Sequence, residues 1–133
     1  MSVLGELQPN KVFKYFEEIC SIPHGSRNLQ QISDYLVDFA KAHELKYRQD
    51  EDLNVIIWKD GSKGYEASEP VILQGHMDMV AVKEADCDKD MEKEGLDLEI
   101  NGDYISAKGT SLGGDDGICL LYTSPSPRDR QKS

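Results

Sequence analysis

VILQGHMDMV, residues 71–80, is the stretch on which the reading of this chain turns. Val71, Ile72 and Leu73 are apolar and β-prone, which predicts a buried strand over residues 71–75, ended by Gly75. Burial accounts for those residues but not for an imidazole and a carboxylate, His76 and Asp78, at the exit of the strand. On extended backbone, residues i and i+2 share a face, so Asp78 is placed to hold the His76 ring from behind. A carboxylate accepting one ring N–H fixes the tautomer and makes the other nitrogen a better metal ligand.

Working outward, two amphipathic helices are expected upstream. Val12, Phe13, Phe16, Ile19 and Cys20 recur at helical spacing between Gln8 and Ile22, with Pro23 as the stop. Leu29, Ile32, Tyr35, Leu36, Phe39 and Ala40 do the same between Leu29 and His43, with Asn28 available as a cap. Two short strands, 46–49 and 54–59, follow around an acidic turn. Downstream, residues 96–100 and 104–107 alternate around NGD and predict a hairpin that leads into GTSLGGDDG, residues 109–117. Helices first, then strands, then a glycine-rich loop imply an α/β fold with a mixed sheet flanked by helices.

Composition narrows the function. The chain has 133 residues, enough for one domain, with 25 acidic against 15 basic side chains and a net charge of −10. Such a balance repels a phosphate backbone, so nucleic acid is not an expected partner. Cys20, Cys87 and Cys119 form no CxxC pair, which fits a reducing, cytoplasmic setting. No stretch approaches the ~20 apolar residues of a membrane span, and no membrane partner is expected. The charged run 83–95 is not a calcium loop, because an EF-hand starting at Asp86 needs glycine and glutamate where Met91 and Asp97 stand. It reads as a solvated surface loop.

His76, Asp78 and the adjacent Asp115 and Asp116 form the oxygen and nitrogen set that a divalent metal takes. Each loop has another reading. His-x-Asp also suits a hydrogen-bonded turn, and GGDDG also suits a tight turn with a helix cap. Two other function classes stay open on the residues alone: a metal-dependent phosphate-binding module built on GTSLGGDDG, and an acidic interaction fragment without chemistry. The first is disfavoured by paired aspartates and by the absence of a P-loop lysine.

ICSIPHGSRN, DLNVIIW, VILQGHMDMV and NGDYISAKGTSLGGDDGI together resemble the N-terminal part of the cytosolic non-specific dipeptidases, or aminoacyl-histidine dipeptidases, of the co-catalytic zinc aminopeptidase superfamily. The resemblance covers roughly residues 5–118. It implies an incomplete catalytic domain of a zinc aminopeptidase-like fold, with His76 a ligand of one zinc, Asp115 a bridge between two, and Asp78 the catalytic acid that orients the site. Asp116 would follow Asp115 across a strained, cis peptide bond. The implied cofactor is a pair of zinc ions, with cobalt or manganese as other divalent occupants, and the implied substrate is a dipeptide. A homodimer is implied for the full-length parent. The family's glutamate pair and remaining ligands have no match here, since the chain ends 18 residues after Asp115. The expected domain therefore runs over residues 1–121. Residues 122–133, with Pro125, Pro127 and a basic excess, resemble a translated adapter and are expected to be a non-native or disordered tail. Little or no turnover is expected from the chain by itself.

Overall fold

The computed structural model describes residues 2–113. Asp115, Asp116, Cys119 and the tail 122–133 lie outside the described residues. Helix α1, Asn10–Cys20, follows Pro9, whose extended backbone supplies the entry to the first turn. It ends where the Ser21 hydroxyl donates back to the carbonyl of Glu18 at 2.6 Å, two residues before Pro23. Helix α2, Gln30–Ala42, buries Ile32, Ser33, Leu36, Val37 and Ala40 along one stripe. Asn28 does not cap it; its Nδ2 donates to the carbonyl of Glu92 at 3.0 Å instead. A long-range tie has taken the side chain that local pattern assigned to the helix end.

Strands β1, Lys46–Gln49, and β2, Val55–Trp58, pair antiparallel with Gln49 opposite Val55. Asp50 shapes their turn by accepting the N–H groups of Asp52 and Asn54. Strands β3, Leu98–Asn101, and β4, Tyr104–Ala107, form the hairpin around NGD, where Gly102 takes φ +62° as a two-residue turn with a leading glycine requires. The chain is α/β, and its pairings are of both kinds: two antiparallel hairpins and a parallel bridge between Gly25 and Met79.

One face of α1 packs Ile19 against Ile32 and Leu36 of α2, with Phe16, Tyr35, Val55 and Met77 around them. The adjoining face packs Cys20 against Leu4 and Leu98, with Phe13, Leu96 and Ile105. Gly95 makes the second contact close: a Cβ there would lie 2.3 Å from the Ser21 carbonyl oxygen. The neighbouring Leu96 N–H donates to the Cys20 carbonyl at 2.9 Å, so the hairpin segment closes the end of α1.

The strand expected over Val71–Gly75 is not formed. Residues 71–75 carry no regular structure, and no backbone hydrogen bond joins them to the rest of the described chain. Val71, Ile72 and Leu73 are exposed, Ile72 to 90%. The physical reason is that β-propensity is realised only against a neighbouring strand and a packed face. Each hairpin is a two-stranded unit, and no described strand pairs with this run.

Candidate functional site

The turn 22–27 and the segment 76–80 are brought together by backbone. The Met79 N–H donates to the His24 carbonyl at 3.0 Å, and the Ser26 N–H to the Met79 carbonyl at 3.2 Å. Such close pairing needs Gly25 between them, since a Cβ there would meet the Ala81 methyl at 2.8 Å. His24 is buried under this junction and points its Nδ1 at the Ile22 carbonyl, 2.7 Å away.

This pairing sets Ser26 opposite Asp78. The Ser26 hydroxyl donates to Asp78 Oδ2 at 2.6 Å, within the short range of charge-assisted bonds. Asp78 Oδ1 lies 3.1 Å from His76 Nδ1, and the backbone carbonyl of Asp78 lies 2.9 Å from the same nitrogen. Both neighbours of Nδ1 are acceptor oxygens, so the neutral ring carries its proton there and presents the Nε2 lone pair outward. The ring is half exposed. The Ser26 hydroxyl is the largest influence holding the Asp78 carboxyl below the usual carboxylate range; slight burial opposes it, and the residue's own N–H and His76 reinforce it.

A second stretch runs along the segment leaving the site. Glu84 N–H donates to the Gly109 carbonyl at 2.8 Å, and Ser111 N–H to the Val82 carbonyl at 2.9 Å. The Ser111 hydroxyl donates to the Val80 carbonyl at 2.6 Å and accepts the Val82 N–H at 3.1 Å. The start of the glycine-rich loop thus lies against residues 80–84, while Asp115 itself falls outside the described residues. Among the described residues no group of three or more His, Cys, Asp or Glu is placed to hold a metal ion. What they present is one imidazole nitrogen, backed by one carboxylate. That donor chemistry fits a single ligand position of a zinc site.

Ser26 and Ser111 went unread in the sequence, because a hydroxyl in a polar turn has no periodicity to mark it. The charged loop 83–95 makes turns of its own, with Glu94 accepting the Asp90 N–H and the Lys83 ammonium donating to the Lys89 carbonyl, besides its ties to Asn28 and Gly109. Among the described residues no helix is long and apolar enough to cross a membrane.

No family model matches the chain. It is similar to the cytosol non-specific dipeptidase of Escherichia coli (strain K12), with 39% identity over 118 residues, which cover 89% of this chain and 24% of that protein. Among solved structures it is similar to the aminoacylhistidine dipeptidase from Vibrio alginolyticus, with a TM-score of 0.83 and 35% identity over 95% of this chain and 26% of that one. The chain therefore spans about a quarter of the length of the relatives it matches.

Proposed function

The chain is a segment of the cytosol non-specific dipeptidase family, and from that premise we propose that the protein carrying it is a metal-dependent dipeptidase to whose active site residues 76–78 belong. The observation that carries this reading is the outward Nε2 of His76, backed by Asp78, in a segment 39% identical to a dipeptidase. His76 would hold a zinc ion through Nε2, and Asp115 would be a ligand shared with a second. Bound zinc would supply Lewis acidity toward a peptide carbonyl and toward water. Asp78 accepts at Nδ1 of the His76 ring, which favours the neutral tautomer whose Nε2 lone pair is free for a metal. In this reading the segment works in the cytoplasm, and residues 1–121 are the part of the domain it contributes.

The chain spans about a quarter of its relatives' length and its described residues offer one ligand position, so the activity proposed is that of the protein carrying it. Hydrolysis of unmodified dipeptides by the full-length protein tests the reading. Activity is expected to vanish with a chelator, return with zinc, cobalt or manganese, and fall to background on His76→Ala. Full activity of His76→Ala in the metal-loaded protein would overturn it.

A further inference from the structure

We propose that Ser26 is a positioning residue for His76: its hydroxyl fixes the rotamer of the Asp78 carboxylate, and through it the Nδ1–H tautomer of the imidazole. The residue comes from a turn 52 positions away, and nothing in the dipeptidase reading requires it. The bond is short, 2.6 Å, and it occupies Oδ2 alone, which leaves Oδ1 facing His76 Nδ1 at 3.1 Å. Asp78 has its side chain 39% exposed, so without that bond its carboxylate is free to rotate toward solvent. His76, at 55%, has no packed wall to hold its ring. Its orientation rests on the two oxygens at Nδ1, and only one of them, the Asp78 backbone carbonyl, is independent of Ser26.

The turn that presents Ser26 does not depend on its hydroxyl. The Ser26 N–H to Met79 bond and the Met79 N–H to His24 bond are made by backbone. Ser26→Ala therefore removes one interaction and leaves the turn where it is. Ser26→Thr keeps the hydroxyl and adds a methyl group at an exposed position.

The inference rests on His76 as a metal ligand, and the test keeps the two apart. Long-range 15N–1H spectra of the purified chain at pH 8 report the tautomer of His76 directly, without metal, and zinc affinity is measured on the same samples by competition titration. Ser26→Ala is expected to shift the ring toward Nε2–H and to weaken zinc by about tenfold, the lower end for loss of an outer-shell partner. Ser26→Thr is expected to retain both wild-type properties. Slow amide exchange of Met79 in each variant verifies that the turn is intact. An unchanged tautomer in Ser26→Ala overturns the proposal, because the Asp78 backbone carbonyl would then suffice. A tautomer that shifts while zinc affinity stays at its wild-type value upholds Ser26 as the positioning residue and removes His76 as the metal ligand instead.

Discussion

Ile72→Asp should leave the stability of this chain nearly unchanged, although it places a carboxylate in the middle of an apolar run. Fully burying an isoleucine side chain is worth about 1.5–3 kcal/mol. Ile72 is 90% exposed, so the burial at stake is about 0.2–0.3 kcal/mol on that scale. The new carboxylate stays in water and carries no desolvation penalty. A midpoint shift within about 3 °C follows, taking ~4–8 °C per kcal/mol for a domain of this size. Ile32→Ala is the calibrating variant. Ile32 is wholly buried between α1 and α2, and its truncation should cost about 2–5 kcal/mol. Urea titrations followed by circular dichroism compare the two. If Ile72→Asp costs as much as Ile32→Ala, residues 71–75 form a buried strand after all and the account of the exposed run is wrong. The same substitution should reduce self-association, measured by sedimentation at rising concentration. An uncharged, β-prone run with unpaired backbone is an edge waiting for a partner.

Four other substitutions probe the site and its supports. Asp78→Ala should weaken zinc binding by about tenfold or more in competition titration, because the His76 ring loses one of the two oxygens at Nδ1. Ser33→Ala should lower stability by about 1–3 kcal/mol in thermal melts. The buried Ser33 hydroxyl donates to the Leu53 carbonyl at 2.7 Å and accepts from Gln49, and the variant leaves that carbonyl unpaired. Gly95→Ala should force the hairpin segment off α1, at about 1–3 kcal/mol, and speed amide exchange at Leu96. For Glu17, partial burial pushes the carboxyl up, but hydrogen bonds from Val3 N–H, the Ser2 hydroxyl and Leu4 N–H together bring it below its ordinary value. A lowered folded-state value means that this stabilisation is full above the unfolded value and is lost as pH falls through the folded one. Protection of the Val3 amide, taken relative to its intrinsic exchange rate, should therefore fall in acid, and Glu17→Gln should abolish the dependence.

What could be read before folding was what depends on neighbours along the chain. The stripes at Val12–Cys20 and Leu29–Ala40 gave α1 and α2 to within about two residues, and Asn101-Gly102-Asp103 gave the β3–β4 turn, because helix faces and tight turns are set locally. The pairing of His76 with Asp78 was legible for the same reason. Its form differs, since the segment is not a strand and the ring nitrogen is shared between the backbone and side-chain oxygens of one residue. Val71–Leu73 misled because an apolar run states only that it needs a partner, and no strand of the described chain supplies one. Asn28 misled because a tie to Glu92, 64 positions away, outcompeted the local cap. Ser26 was silent because its meaning lies wholly in a residue 52 positions on.

The junction of turn 22–27 with segment 76–80 has a consequence in time as well as in space. A ribosome must release the chain well beyond Met79 before the His24 carbonyl can meet the Met79 amide. Closing a loop of that length costs conformational entropy that grows only as the logarithm of its size. The penalty falls on the first tie to form, and the Ser26, Asp78 and His76 contacts then follow within an already closed ring. While the nascent chain is short, α1 and α2 can pack as a local pair, and His76 is an ordinary solvated imidazole. The Ser26–Asp78 hydrogen bond therefore reports completion of the 22–80 ring, and a chain stalled before that point should already possess its helices and still lack this bond.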